Sequence, residues 1–471
     1  MNGVMSYAKE NNILFCMPGH KAGRGFAQIP EGREYFENLF KCDITEVDGT
    51  DNLHNAEGII KESCILLSRY YGSARSYFLV NGSTSGNLMM FFSAFNEGDK
   101  VIVERNCHRS IMNAVIMRKL RPAYIKDIVS KKYNAPLSLD EEHFYKVIEE
   151  NKDAKGIIIT YPNYYGMCCN IGKLAAYAKQ FGMKVLVDSA HGAHFGASTK
   201  LPENAVKLGA DMVVMSAHKT LPSLTQTAYL HVGKGCFIDM DKIDFYFSAF
   251  SSTSPSYIFL ASMDYARYYL QKYGKEHYST LIDMIGEYKE KIDSIGKIHI
   301  IEKEDFDKDC YVHDIDKTRL TINLDKGFSG YKLSKYLRKC GIQVEMSDTS
   351  NILLIVTPFN KKSDMEALYR SLKYCNFDEM RDNSDFEVQD YDIPLSILAP
   401  WEAAEKKKVR VDIMQAEGRI CAENIVPYPP GVPIAVMGEI INHEIISSLT
   451  YLIKNNVKIL GVNDGKVCVI K

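Results

Sequence analysis

DMVVMSAHKT, residues 211–220, reads in two halves: an apolar run of the kind that fills a buried strand, then a polar tail carrying Ser216, His218 and Lys219. Three upstream runs have the same build, VIVE (101–104), GIIIT (156–160) and KVLVD (184–188). Longer stretches with helical periodicity separate them, so the region from about 75 to 235 is expected to form a mostly parallel sheet with helices on both faces. In such sheets ligands gather at the carboxyl ends of the strands. The polar residues that follow each run are therefore the candidates for chemistry.

Lys219 stands at one such end. Desolvation there would lower its pKa and make the amine a nucleophile for an aldehyde, although a lone lysine in this position is more often a snorkelling surface residue. Two further elements change that balance. KVLVD ends at Asp188, a carboxylate able to pair with a protonated pyridine nitrogen. NGSTSGN (81–87) precedes the apolar helical run LMMFFSAF, so its hydroxyls and backbone N–H groups suit a phosphate, though the same residues also serve as ordinary caps. Cradle, strand-end Asp and strand-end Lys, in that order, fit a large domain built around pyridoxal 5'-phosphate. Between cradle and Asp, RNCHRS (105–110) places His108 after the strand VIVE, where it could lie flat on a cofactor ring or simply be a bonded loop histidine.

The bulk of the chain sets the frame. At 471 residues it should hold two to four domains. The 46% hydrophobic and 25% charged fractions are those of a folded globular protein. Lys+Arg at 57 against Asp+Glu at 59 leaves a formal charge of -2 and no basic stripe, which argues against nucleic acid as a partner. MNGVMSYAKENNILF lacks the apolar core of a signal peptide and no long apolar run occurs, so no membrane association and a cytoplasmic location are expected. The twelve cysteines show no C-x-x-C spacing and are expected to be mostly reduced and buried, with Cys168 and Cys169 as packing residues.

Beyond the sheet region, 257–293 reads as helical, and RLTINL (319–324) through NILLIVT (351–357) reads as a smaller α/β unit with GYKLSKYLRKCG as its helix. The polar stretch 378–390 reads as a linker, and PYPPG (427–431) as a rigid loop in a last module. No internal repeat is present.

Nine blocks carry a resemblance: FCMPGHKAGRGF (15–26), DITEVDGTDNLHNAEG (43–58), NGSTSGN, RNCHRS, TYPNYYG (160–166), VDSAHGAHFG (187–196), SAHKTLPSLTQ (216–226), STSPSY (252–257) and PYPPGVP (427–433). In this order they resemble the ornithine/lysine/arginine decarboxylases of the aspartate-aminotransferase fold type, in the compact form without an N-terminal receiver-like domain. The resemblance implies an α/β fold with a seven-stranded, mostly parallel sheet in a large cofactor domain (61–270), an N-terminal arm at the dimer interface and active site (1–60), a smaller α/β domain (271–377) and a C-terminal α+β module (391–471). It implies Lys219 as the Schiff-base lysine, Asp188 as the pyridine-nitrogen partner and His108 as the stacking residue. Ser83, Thr84 and Ser216 would hold the phosphate, with Ser85, Ala190 and His191 also at the cofactor. His218 would sit near the phosphate as a candidate proton donor. Ser254 would reach the phosphate of a neighbouring subunit, implying an obligate homodimer.

The reaction type comes from the same resemblance: removal of the α-carboxylate of arginine, lysine or ornithine. A basic substrate needs carboxylates facing its distal cation, for which Asp51 and Glu439 are the candidates. Two departures touch this end. Met437 stands where the family pattern has a proline before Gly-Glu, and Thr50-Asp51-Asn52 lacks a second acidic residue. An aminotransferase with the same cofactor site is the runner-up. A metal-dependent hydrolase using Asp188, His191 and His194 is a weaker rival, since Asp188 already has a use, and no metal is expected. A binding protein without catalysis would be signalled by loss of Lys219 or Asp188, and both are present.

Overall fold

The computed structural model describes residues 1–382, 387–388, 390–428, 431–455 and 457–471. The loop expected at 427–431 and the linker expected at 378–390 therefore lie partly outside the described residues.

The central sheet has seven strands: β1 (Arg75–Leu79), β2 (Lys100–Glu104), β3 (Arg121–Ile125), β4 (Gly156–Thr160), β5 (Lys184–Asp188), β6 (Met212–Met215) and β7 (Ala228–Val232). Their spatial order is β1-β7-β6-β5-β4-β2-β3. The pairs from β6 through β5, β4 and β2 to β3 are parallel, and β7 alone runs the other way, antiparallel to β6 and β1. The four runs singled out in the sequence are β2, β4, β5 and β6. Their aliphatic residues are buried on both faces of the sheet, which is why they read as unbroken apolar runs instead of alternating ones.

Helices α1 (Ile59–Tyr71), α2 (Gly82–Ala94) and α3 (Arg109–Met117) pack against this sheet. The seat of α2 is decided by Gly86. A Cβ at that position would lie 2.5 Å from Val214 Cγ2 and 2.6 Å from Leu79 Cδ1, so only glycine lets the helix lie directly on β6 and β1. That close approach brings the N-terminus of α2 to the carboxyl end of the sheet. Further along, α4 (Tyr257–Tyr269) and α5 (Lys275–Asp293) are joined through a wide turn at Leu270–Gly274 into one long helical stretch, as the sequence suggests.

A second sheet has four strands, β8 (Ile298–Ile300), β9 (Arg319–Leu324), β10 (Met346–Ser347) and β11 (Asn351–Ile355), all antiparallel in the order β8-β9-β11-β10. Helices α6 (Gly330–Lys339) and α7 (Lys362–Lys373) cover it with Leu333 and Leu337, and with Met365, Leu368 and Leu372, at the spacing of one helix face. The N-terminal strand Ile13–Phe15 pairs in parallel with Ile342–Val344 and so ties the arm to this unit. The two sheets share a continuous apolar core. The C-terminal strands β12 (Lys408–Asp412), β13 (Val462–Asn463) and β14 (Lys466–Ile470), with α8 (His443–Lys454), enclose a separate core that includes Ile445, Leu449, Val467 and Val469.

Two expectations need correction. The described part of 378–390 is no free polar linker: Met380 is buried, and buried Val388 donates its N–H to Asn134 Oδ1 at 2.9 Å and joins the C-terminal core. The short polar side chains of this stretch mask those two anchors. The cysteines are all unpaired, but four are buried, seven intermediate and one, Cys340, exposed, because most sit at element ends instead of in the core. Among the described residues no helix is long and apolar enough to cross a membrane.

Candidate active site

A cavity of about 730 Å³ opens at the carboxyl end of the central sheet. Ser83, Thr84, His108, Asp188, Ala190, His191, Ser216, His218 and Lys219 all line it, so residues spread over 137 positions of sequence converge there. A recess of about 880 Å³ beside α1 and β1 is lined by Lys61, Arg69, Arg75 and Lys234, and its Asp244 is committed to Arg75 and Tyr77. It contains none of the strand-end residues.

The carboxylate side of the cavity is a fixed network. Asp188, buried at the end of β5, accepts the Ala190 N–H at 3.0 Å and the Asn87 side-chain amide at 2.9 Å. Asn87 also donates to Ser110 Oγ at 2.8 Å, and Ser110 Oγ lies 2.7 Å from His108 Nδ1. The Ser110 N–H donates to the same nitrogen as His108 caps α3, so Nδ1 is the accepting atom and the ring hydrogen sits on Nε2. Burial lowers the pKa of His108 against the opposing pull of Asp188, which keeps the ring neutral.

Opposite lies a cluster of hydroxyls. Ser83, at the head of α2, is in close hydrogen-bond contact with Ser216 at the end of β6, and Thr84 adjoins them on the cavity wall. The first backbone N–H groups of a helix have no partner within the helix. Hydroxyl donors and a helix N-terminus of this kind suit a phosphate dianion. The buried side-chain oxygen of Asn87 has no hydrogen-bond partner, the mark of a polar wall built for a bound group.

Lys219 stands on the short turn Ala217–Thr220, with Nζ 3.0 Å from His191 Nε2. Burial lowers its pKa to about 8, with Asp188 opposing and Arg319 assisting that shift. Part of the residue remains open to the cavity, while the amine is enclosed. A second buried lysine, Lys21, is likewise lowered by burial to about 8, but its amine is spent on the carbonyls of Cys16 and Ile355 and it does not line the cavity.

Several expected residues do other work. Ser85 turns away and donates to the Gly82 carbonyl at 2.8 Å, closing the first turn of α2. Ser254 is exposed and outside the cavity of its own chain. The Asp51 carboxylate accepts the N–H groups of Asn52, Glu57, Gly58, Ile60 and Lys61, capping α1. Burial opposes its ionisation, but the N–H donors of Glu57, Asn52, Gly58 and Lys61 outweigh it and hold Asp51 at about 2. Glu439 is 1% exposed and forms a two-pronged pair with Arg105, at 2.6 and 2.7 Å. In this chain Asp51 caps α1 and Glu439 pairs with Arg105, and neither lines the cavity of its own chain. His218 Nδ1 lies 2.9 Å from the Thr227 carbonyl, so its hydrogen is held there. Burial lowers its pKa, and the neutral ring leaves Nε2 as its accepting atom.

Asp188, His191 and His194 also diverge. His194 Nε2 faces Asp316 and Thr318 at 3.1 Å each, while the other two residues face the partners given above. Among the described residues no three His, Cys, Asp or Glu side chains are grouped as metal ligands.

Sequence reasoning missed Glu345, Tyr164 and Arg319. Tyr164 donates to Glu345 Oε1 at 2.6 Å, and the Met17 N–H donates to Oε2 at 2.9 Å, on the cavity wall contributed by the second sheet. Tyr164 was within a quoted block, but Glu345 and Arg319 belong to a distant unit and carry no local signal.

The family model for the major domain of Orn/Lys/Arg decarboxylases matches residues 1–364, and that for their C-terminal domain matches residues 397–460. The chain belongs to the Orn/Lys/Arg decarboxylase family. As a member it is an amino-acid decarboxylase, and its cofactor is pyridoxal 5'-phosphate. The decarboxylase is 35% identical over 462 residues to the uncharacterized protein YaaO of Bacillus subtilis (strain 168), spanning 97% of this chain and 95% of that one. It is 32% identical over 461 residues to the arginine decarboxylase of the same organism, spanning 96% and 92%. Its fold is that of the Escherichia coli constitutive lysine decarboxylase, with a TM-score of 0.76 at 21% identity, over 100% of this chain and 81% of that one. The donor set of the cavity fits the cofactor: an enclosed amine for its aldehyde, a carboxylate for its ring nitrogen, and hydroxyls with a helix N-terminus for its phosphate.

Proposed function

We propose that this cavity removes the α-carboxylate of a basic amino acid, with pyridoxal phosphate carried on Lys219. The observation that carries the reading is one enclosed amine, Lys219 Nζ, sharing a cavity with the Asp188 carboxylate and the hydroxyls at the head of α2. Bound there, the cofactor supplies a conjugated ring that takes up the electron pair released when a bond to the substrate's α-carbon breaks.

The chain's own residues orient and protonate. Asp188, held by Ala190 and Asn87, would pair with the ring nitrogen and keep it protonated. Ser83, Thr84, Ser216 and the first turn of α2 would hold the phosphate, His108 would cover the ring, and Ala190 and His191 would complete its surroundings. Lys219 Nζ gains and loses a proton near neutral pH, which makes it the group to return a proton to the substrate's α-carbon.

Two carboxylates among the described residues line the cavity, Asp188 and Glu345. With Asp188 committed to the ring, Glu345, which already accepts from Tyr164 and the Met17 N–H, is the carboxylate that would pair with the substrate's distal cation. Arginine is the first substrate to test, since a relative 32% identical over almost the full chain is named an arginine decarboxylase. An aminotransferase normally holds the α-carboxylate in the ring plane through an arginine; among the described residues no arginine lines this cavity, which favours decarboxylation.

A homodimer is part of the same reading. Phe36, Phe40, Val47, Ile59 and Phe245 are exposed apolar side chains that a second copy would cover, and Ser254 is free to reach the partner's phosphate. The division into an arm to residue 60, a large domain to 270, a small domain to 377 and a module from 391 is likewise proposed; the separate C-terminal core supports the last boundary. A cytoplasmic location accords with twelve unpaired cysteines.

Protein loaded with the cofactor should be yellow, lose that colour with borohydride, and release CO2 from arginine, lysine or ornithine together with the matching amine. Keto acid formed without CO2 would refute the decarboxylation. Lys219→Ala protein that still carries a borohydride-reducible cofactor would refute the choice of lysine.

A further inference from the structure

Lys219, His191 and Arg319 form a line of hydrogen bonds whose direction is set at one end. Arg319, on β9, is buried; its Nη1 donates to the Tyr164 carbonyl at 2.8 Å and its Nη2 is in close contact with His191 Nδ1. A guanidinium has donors only, so Nδ1 must be the accepting nitrogen. His191 is neutral, because burial together with the charges of Lys219 and Arg319, and of His108 and His218 beyond them, lowers its pKa well below the ordinary value. A neutral ring that accepts at Nδ1 carries its hydrogen on Nε2, and that atom lies 3.0 Å from Lys219 Nζ. An ammonium has no lone pair to receive this hydrogen, whereas a neutral amine has one.

We propose that Arg319 is a positioning residue that fixes the tautomer of His191 and, through it, biases Lys219 toward the neutral amine, the form able to bond to an aldehyde. The inference rests on Lys219 being the cofactor lysine proposed above. Asp188 and Glu345 both act the other way, favouring the ammonium, so burial and Arg319 have two carboxylates to overcome. The bond direction adds to them: a proton arriving on Lys219 would place donor against donor along the whole line. Arg319 is itself well held, with its ring-side face over Tyr164 and Asp316 Oδ2 3.7 Å from Nε. It does not line the cavity, so it reaches Lys219 through the histidine and through its charge.

The test reads the lysine and not the reaction. Full-length protein freed of cofactor is acetylated with trace acetic anhydride in competition with a reference amine, across the pH range, and the Lys219 peptide is quantified by mass spectrometry. The wild type should half-titrate at or below about 8. Arg319→Met should move that midpoint up by about one pH unit or more, slowing acetylation at neutral pH about tenfold. Arg319→Lys, which keeps a donor-only cation, should restore the low midpoint. His191→Gln should keep it too, since its amide can accept from Arg319 and donate to Lys219 as the ring does. An Arg319→Met midpoint equal to the wild type, an Arg319→Lys protein no better than Arg319→Met, or a His191→Gln midpoint raised as far as that of Arg319→Met would each overturn the proposal. Circular dichroism of each variant confirms the fold; if Arg319→Met does not fold, His191→Phe, which removes the Nε2 donor, takes its place and should raise the midpoint, and a wild-type midpoint in it would overturn the proposal. Borohydride reduction of loaded wild type, with the modified peptide mapped, tests the lysine assignment separately.

Discussion

Replacing Lys219 by methionine should make the cofactor-free protein more stable while abolishing its activity. The buried amine is lowered from 10.5 to about 8, so below that lower value the fold carries an ammonium it disfavours. The difference corresponds to about 3 kcal/mol, less where the open side of the cavity relieves it. Methionine fills a similar volume without charge, but forfeits the bond to His191, a loss of about 1 kcal/mol. The net gain at pH 7 is about 2 kcal/mol, or a rise in Tm of about 2–4 °C. The sign fixes the pH dependence. The folded pKa lies below the unfolded one, so the unfolded chain binds more protons between about 8 and 10.5, and the wild type gains stability as pH rises through that window. The advantage of Lys219→Met should therefore be full below about 8, shrink above it, pass through zero short of 10.5 and then reverse, when only the lost bond to His191 is left. Thermal scans of both cofactor-free proteins over that range give the answer. A variant less stable than the wild type at pH 7, or a difference independent of pH, would refute the reasoning.

Gly86→Ala places a methyl 2.5 Å from Val214, and α2 must lift; a loss of about 1–3 kcal/mol and weaker cofactor binding are expected, measured by Tm and by titration of the apoprotein with pyridoxal phosphate. Glu439→Gln leaves the Arg105 guanidinium buried without its counter-charge, which should cost about 3–5 kcal/mol in denaturant unfolding, while the KM of the folded fraction stays unchanged because residue 439 does not line the cavity of its own chain. Glu345→Gln should raise the KM for arginine at least about tenfold with a smaller change in kcat, as loss of a charge-assisted bond of about 1.5–3 kcal/mol predicts; an unchanged KM places the distal cation elsewhere.

The central sheet was legible because its inner strands are buried on both faces. VIVE, GIIIT, KVLVD and DMVVM could hardly be anything but core, and their last residues mark the site. RSYFL, RPAYI and AYLHV, which flank them as β1, β3 and β7, mix polar and aromatic residues and give no such signal. The cofactor side of the cavity was also legible, since Ser83, His108, Asp188 and Lys219 each sit at a strand end or helix start. The substrate side was not. For Asp51 and Glu439, a sequence does not display the five N–H groups that bond one or the guanidinium paired with the other. Glu345 and Arg319 come from the second sheet, and only folding brings them beside residues more than a hundred positions away. Hydrogen-bond direction was beyond reach for the same reason: that His218 carries its hydrogen on Nδ1 follows from one carbonyl, Thr227, whose position is tertiary.

The pair between Glu439 and Arg105 has a consequence for biosynthesis. Arg105 lies three residues before His108, yet its counter-charge is encoded 334 positions later. Until residue 439 is made, the central sheet can already be assembled with that guanidinium lacking its carboxylate. A product ending before it would keep a buried cation without its counter-charge.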